Sequence, residues 1–384
     1  MERKVYCLNK ISKVGLGVLP SNYKVVEELE GSDAVLVRSA TMHEMDLPES
    51  VVAVARAGAG VNNIPLDKYA SKGIVVFNTP GANANAVKEL TIAMMLLAAR
   101  DIRGSMEWVN ANKEDVEINK SMEKAKGAFA GTEILGKTLG IIGCGAIGAL
   151  VADAARKLGM KVIGVEPSQA TRERNKELLQ GVEFVELDEL LKRSDYISVH
   201  VPLLDATRGM INKEALAKCK DGVIIINAAR DALVNDDDMK EALASGKVRR
   251  YVTDFPNYKS ANTEGVVAIS HLGASTEEAE DNCAMMAANQ VVNFVENGNI
   301  VNSVNYPNLD LGPKSSPRIL VLHQNNGDVC DKTLELLKKH GHKVSKFVTG
   351  VKGEYAATLL ELDKVDECLE EIRKLSGVIR VYTK

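Results

Sequence analysis

None of the six cysteines of this 384-residue chain (Cys7, Cys144, Cys219, Cys283, Cys330 and Cys368) stands at C-x-x-C spacing from another or clusters with histidine. That excludes the usual zinc and dithiol patterns and predicts six free thiols, no metal and a cytoplasmic setting. No apolar run approaches the roughly 20 residues that span a bilayer; the longest lies in residues 92–99. The opening Met1-Glu2-Arg3-Lys4-Val5-Tyr6 lacks the apolar stretch of a secretory signal. Lys and Arg number 48 against 52 Asp and Glu, and no basic stripe is concentrated anywhere. Nucleic acid and membrane surfaces are therefore not expected partners; small molecules are.

What the chain does have is 45% hydrophobic and 26% charged residues, the balance of a globular protein. Its length exceeds one ordinary core and predicts two or three domains. Short β-branched runs at 34–37, 51–54 and 74–77 alternate with helix-forming segments, which argues a parallel sheet with crossover helices. An apolar helix is expected over 86–100, followed by an exposed polar stretch over 110–126. A second series at 138–143, 161–165, 196–201, 223–227, 251–253 and 266–270 gives six strands in a doubly wound arrangement. A helix over 276–296 then returns the chain to the first domain. Proline, glycine and serine over 307–317 read as a linker. Beyond it the strand and helix runs at 318–323, 328–340, 342–347, 355–361, 364–375 and 378–382 spell the ferredoxin-like βαββαβ pattern. The expected architecture is α/β: two doubly wound parallel-sheet (Rossmann/flavodoxin-like) domains, one discontinuous (1–98 with 285–310) and one nucleotide-binding (99–284), plus a small domain at 318–384.

Gly143-Cys144-Gly145-Ala146-Ile147-Gly148 follows an apolar strand and opens an amphipathic helix. In that context G-x-G-x-x-G suits a dinucleotide: the first glycine makes the turn, the second admits the pyrophosphate, and the third lets helix pack on strand. Glu166, 18 positions after Gly148, ends the next strand, where a carboxylate accepts from ribose hydroxyls and repels a 2′-phosphate. NAD is the expected cofactor, with Arg172 and Arg174 nearby as the features that would favour NADP.

Asn227-Ala228-Ala229-Arg230, Thr253-Asp254-Phe255 and Ser270-His271-Leu272-Gly273-Ala274-Ser275 each follow a strand of the nucleotide-binding series. Strand C-terminal ends are where open α/β sheets place ligands. A histidine and an arginine suit a reaction that removes a hydroxyl proton beside a carboxylate. At these residues the chain resembles the D-2-hydroxyacid dehydrogenases. The resemblance implies Arg230 as the substrate-carboxylate ligand, His271 as the acid/base and Asp254 near the nicotinamide. It also implies His200, Pro202, Thr207, Ala228, Ala229, Gly273 and Ala274 along the cofactor, together with Ala146 and Ile147 of the loop.

Val37-Arg38-Ser39-Ala40-Thr41, Arg56-Ala57-Gly58-Ala59-Gly60-Val61, Asn78-Thr79-Pro80 with Asn83, His271-Leu272-Gly273-Ala274-Ser275-Thr276 and Asn302-Ser303-Val304-Asn305-Tyr306-Pro307 resemble the phosphoglycerate-oxidising branch. They imply a phosphorylated 2-hydroxy acid as substrate, with Arg38, Ser39, Arg56, Ala57, Gly58 and Asn83 around it, and Lys126 as a cation offered to a neighbouring subunit of a homodimer or tetramer. Two departures stand out. No acid occupies the place of the glutamate that partners the histidine in Asp254-Phe255-Pro256-Asn257-Tyr258-Lys259-Ser260, which leaves Glu264 as a substitute or as a plain loop carboxylate. Asp231 and Ser270 replace a usual glycine and proline. Glyoxylate or hydroxypyruvate reduction is the alternative chemistry, and an NAD-sensing corepressor the alternative class.

The tail resembles an ACT domain. His323-Gln324-Asn325-Asn326-Gly327 keeps part of an amino-acid-binding loop, so His323 and Asn325 are implied for a weakly bound effector such as serine. On this reading the tail supports assembly and is separable after Pro313 with catalysis largely intact.

Overall fold

The computed structural model describes residues 2–365 and 368–384. Five strands, β1 (Arg3–Cys7), β2 (Tyr23–Val26), β3 (Ala34–Val37), β4 (Ala53–Arg56) and β5 (Val75–Phe77), form an all-parallel sheet in the order β2-β1-β3-β4-β5. Seven more, β6 (Thr138–Ile142), β7 (Lys161–Val165), β8 (Glu183–Phe184), β9 (Tyr196–Val199), β10 (Val223–Asn227), β11 (Val248–Thr253) and β12 (Val266–Ala268), form a second parallel sheet in the order β12-β11-β10-β9-β6-β7-β8. Its strand order reverses between β6 and β9, the switch point at which doubly wound sheets take ligands. The two-residue β8 is too short for a pattern of its own to announce it.

The chain divides into two compact units, residues 84–276 and residues 1–83 with 277–384. The expected boundaries at 98/99 and 284/285 therefore move. Helix Ala84–Ala99 buries Val87, Met94, Met95 and Ala98 in the core of the second sheet, with Leu139, Ile141 and Ala152. Its apolar stripe thus ties it to the nucleotide-binding unit. The polar stretch that follows forms helices Ile102–Ala111 and Ile118–Ala125, neither with a buried residue.

The last four strands, β13 (Arg318–Gln324), β14 (Val344–Lys352), β15 (Tyr355–Leu362) and β16 (Val378–Thr383), make an antiparallel sheet ordered β14-β15-β13-β16. With helices Val329–Lys339 and Cys368–Arg373 it completes the expected βαββαβ pattern. The start of the helix expected over 364–375 touches residues 366 and 367, which lie outside the described residues.

The segment assigned as a linker is packed, and the tail shares a core with the first sheet. Strand side chains alternate, so one face of the third sheet meets its own two helices through Ile319, Val321, Leu360 and Ile372. The other presents Leu320, Leu322, Ala357, Leu359 and Tyr382 to the core of the first sheet, where they join Phe77, Ala287, Val291 and Phe294. The segment assigned as linker is anchored at Tyr306, whose hydroxyl donates to the Ala70 carbonyl at 2.7 Å, and at Leu309, which bridges Ile300. A side chain on Gly350 of β14 would meet Pro307 at 2.9 Å. Arg318, fully buried, reaches the carboxylate of Glu361 at 2.7 Å and donates to the carbonyls of Asn297, Gly312 and Pro313. Proline and glycine here shape a packed crossing.

Helix Glu277–Asn297 is the spine of this unit, burying Ala284, Ala287, Val291, Phe294 and Val295. Beside it, Asn305 seals the edge of β5: its Oδ1 accepts from Val76 N at 2.9 Å and its Nδ2 donates to Ile74 O at 2.9 Å. The Asn302 to Pro307 motif is thereby explained as an edge closure, with no ligand required.

Candidate active site

In the nucleotide-binding unit the glycine loop leaves β6 with Gly143 at φ 91°, a left-handed conformation that suits glycine. A side chain there would meet the His200 carbonyl at 2.8 Å, and one on Gly148 would meet the Gly143 carbonyl at 2.0 Å. A side chain on Gly145 would meet nothing within 4 Å, so this residue keeps an open approach for a pyrophosphate at the start of helix Ala146–Lys157. Glu166 follows β7, with Oε2 accepting from Cys144 N at 3.1 Å and Oε1 from Ser168 N at 3.0 Å. Arg172 Nε donates to the Glu166 carbonyl at 2.6 Å and its guanidinium lies 4.8 Å over Phe184, while Arg174 is exposed.

His200 follows β9, its Nε2 2.8 Å from Ser198 Oγ. Burial lowers its pKa to about 4, so the ring is neutral at physiological pH. Thr207 accepts from Leu204 N and donates to the Pro202 carbonyl, which holds the following turn.

Arg230 leaves β10 through a brace that sequence reasoning passed over. Buried Asn227 donates to the Arg230 carbonyl at 2.8 Å and to Tyr251 Oη at 3.2 Å, and accepts from Ala229 N at 3.0 Å. After β11, fully buried Asp254 accepts from Gly273 N at 3.0 Å, so the loop carrying His271 is tied to the adjacent strand. Its Oδ1 has no hydrogen-bond partner among the described residues, and burial raises its pKa. A buried acceptor at the carboxyl edge of β11, beyond a glycine loop open at Gly145, fits a dinucleotide lying along that edge. Phe255, next in sequence, contacts two of the expected functional residues: its ring centroid is 4.2 Å from that of His271 and 5.0 Å from Arg230 Cζ. Its sequence signal was its place directly after Asp254.

Glu264 and His271, expected as possible partners, lie on either side of a short strand. Glu264 precedes β12 and His271 follows it, so an extended strand holds them at opposite ends. Lys126 is exposed and paired with Glu123.

In the other unit, Arg38 and Arg56 leave the adjacent strands β3 and β4. Arg56 Nε donates to the Arg38 carbonyl at 3.0 Å, and a side chain on Gly58 would meet Arg56 Nη1 at 2.5 Å. The glycine is what lets this guanidinium lie flat on the chain. Asn9, unremarked in the sequence, accepts from Arg38 N at 2.9 Å and donates to Ser39 Oγ at 3.2 Å. Glu280, likewise missed, pairs with Arg38 at 2.5 Å from the first turn of helix Glu277–Asn297. Ala57 is buried and Asn83 half-buried just before the unit ends. In the third sheet, His323 is buried with Nδ1 2.9 Å from the Gln324 carbonyl, and Asn325 donates to the Gly353 carbonyl at 3.1 Å. Both expected effector residues have internal partners.

Residues 92–273 match the family model described as D-isomer specific 2-hydroxyacid dehydrogenase, NAD binding domain. A hydroxypyruvate reductase of Thermotoga maritima is 40% identical over 269 residues, covering 67% of this chain and 82% of its own length. D-3-phosphoglycerate dehydrogenase of Bacillus subtilis is 37% identical over 290 residues, 73% of this chain and 53% of its own. The chain thus spans about half the length of the phosphoglycerate dehydrogenases it matches. Among solved structures, an NAD+-bound 3-phosphoglycerate dehydrogenase of Entamoeba histolytica superposes with a TM-score of 0.62 at 28% identity, covering 79% of this chain and 99% of that one. A glyoxylate reductase from Paecilomyes thermophila gives 0.65 at 28% identity, with coverage of 79% and 98%. No described helix is long and apolar enough to cross a membrane.

Proposed function

This chain belongs to the D-isomer specific 2-hydroxyacid dehydrogenase family and binds NAD, and on that premise we propose that it oxidises 3-phospho-D-glycerate to 3-phosphohydroxypyruvate, the first step of L-serine biosynthesis. The observation that carries the reading is the pair Arg38 and Arg56 at the ends of adjacent strands, with Arg56 Nε braced on the Arg38 backbone carbonyl at 3.0 Å and the Arg38 guanidinium held by Glu280. Paired forks of this kind suit a phosphate better than a hydroxyl. Arg230 holds the substrate carboxylate, and His271 removes the hydroxyl proton as the carbonyl forms. NAD, when bound, supplies the hydride acceptor. Gly143, Gly145 and Gly148 line its pyrophosphate, Glu166 the adenosine ribose, and Asp254 the nicotinamide end.

The reductase and dehydrogenase relatives favour an enzyme over a corepressor. The relative in Thermotoga maritima, a hydroxypyruvate reductase, favours a second chemistry at the same residues, reduction of an unphosphorylated 2-oxo acid. Comparing kcat/KM for 3-phosphoglycerate with that for D-glycerate, hydroxypyruvate and glyoxylate tests the choice. A preference of at least about 100-fold for the phosphorylated acid supports the reading, and equal or reversed preference establishes the reductase instead. The C-terminal module is read as an ACT-type unit in a cytoplasmic homo-oligomer, with serine at most a weak effector because His323 and Asn325 are internally bonded.

A further inference from the structure

We propose that Phe255 is a positioning residue of the reaction: its ring holds the His271 imidazole by a close tilted contact, steadies the protonated form, and keeps His271 and Arg230 in register on one aromatic surface. The inference rests on the functional reading above for the roles of His271 and Arg230, and on geometry for the rest.

Three observations converge on this ring. The His271 and Phe255 planes are tilted by 44° with centroids 4.2 Å apart, closer than most aromatic pairs. The Arg230 guanidinium carbon lies 5.0 Å from the same centroid, within the range of a cation and a π face. The backbone beneath the ring is fixed, because Phe255 N donates to Thr253 Oγ1 at 3.0 Å and the preceding Asp254 is buried and bonded to Gly273 N. Phe255 is thus mounted on β11 and reaches the loops that follow β10 and β12. Asp254 and Arg230 are among the charged groups that act on this place, Asp254 feeling both His271 and Arg230.

The chemical consequence follows from the quadrupole of the ring. A protonated imidazole near a π face is stabilised, and a neutral one is not. During oxidation His271 starts neutral and ends protonated, so the contact strengthens as the proton arrives. The close contact also restricts ring rotation, which keeps one nitrogen aimed at the substrate hydroxyl. A residue placed merely to fill space would do neither.

The test compares three replacements in the full chain: Phe255→Leu, Phe255→Tyr, and replacement by pentafluorophenylalanine, which keeps the shape and inverts the charge of the face. The readouts are kcat and KM for 3-phosphoglycerate and the His271 pKa by NMR of labelled histidine, assigned with His271→Asn. Phe255→Leu is expected to lower kcat roughly 5- to 30-fold with KM changed less. It also lowers the His271 pKa, so the acid limb of the oxidation profile moves to lower pH. Phe255→Tyr restores both, and the fluorinated ring lowers the pKa while melting temperature and NAD affinity hold. A wild-type pKa in the fluorinated and Leu variants overturns the proposal, as does a wild-type kcat in the Leu variant. Should Phe255→Leu fail to fold, the fluorinated and Tyr variants still decide. The NMR titration needs no substrate, so it judges the inference even if 3-phosphoglycerate is not turned over; absent turnover or an active His271→Asn counts against the functional reading instead.

Discussion

The seven-stranded sheet and the C-terminal four-stranded sheet solve the same problem in opposite ways. The first buries one face under helices Ala84–Ala99 and Ala146–Lys157 and the other around Leu190, Leu191, Leu216 and Met239, all within residues 84–276. The second covers one face with its own helices and gives the other to helix Glu277–Asn297 and the first sheet. A module with the outline of an independent domain is here a layer of its neighbour. Topology alone does not say whether a fold stands alone; the residues on its uncovered face do.

Truncation breaks this comparison most severely. Removing residues 314–384 strips Leu320, Leu322, Leu359 and Tyr382 from the first core. Each large apolar side chain there contributes roughly 1.5–3 kcal/mol. We expect a chain that aggregates or melts at least about 10 °C lower by circular dichroism and loses turnover, while its nucleotide unit still binds NAD in a fluorescence titration. Full activity would restore the separable tail.

His271→Asn should lower kcat roughly 10²- to 10⁴-fold with NAD affinity unchanged, because it removes proton transfer and leaves the glycine loop intact. Near wild-type kcat with chemistry rate-limiting would end the acid/base assignment.

At the seam, Glu361→Gln leaves Arg318 buried without its counter-charge. Breaking such a pair costs about 3–5 kcal/mol, and denaturant unfolding should show the loss. A change under about 1 kcal/mol would mean that the carbonyls of Asn297, Gly312 and Pro313 satisfy the guanidinium unaided.

The smallest effect concerns Lys384, whose Nζ lies 4.5 Å from the Phe294 ring and whose pKa burial lowers to about 7. A lysine that loses its proton on folding binds more protons unfolded, so stability rises with pH above about 7 and is lower below it. Melting temperature should climb by a few degrees from about pH 7 to about 8.5. Lys384→Met should flatten that rise and sharpen the view of the seam as apolar.

What could be read from the residues alone follows the range of the forces involved. Gly143 to Gly148 and the long runs at 161–165 and 223–227 carry their meaning in neighbours a few positions apart, and the structure matches them. The ends of Ala84–Ala99 were legible as helix, but its allegiance was not, since Met94 and Met95 suit any apolar surface. The proline-rich crossing at 307–317 misled because Tyr306 finds Ala70, and Arg318 finds Glu361, only across long sequence distances. Asn9 and Glu280 were hidden for the same reason: each brace joins residues that no local pattern links.

Helix Glu277–Asn297 has one more consequence. Its first turn carries Glu280 onto Arg38, and its last carries Phe294 beneath Tyr382 and the Asn297 carbonyl onto Arg318. An α-helix turns about 100° per residue, so one residue inserted between Glu280 and Phe294 would swing one end about a quarter-turn from its partners while the other stayed seated. The length of this rod is therefore a heritable quantity as strict as any side chain on it. Single-residue insertions and deletions here should be purged from descendants of this sequence, even where every substitution at the same solvent-facing positions is tolerated.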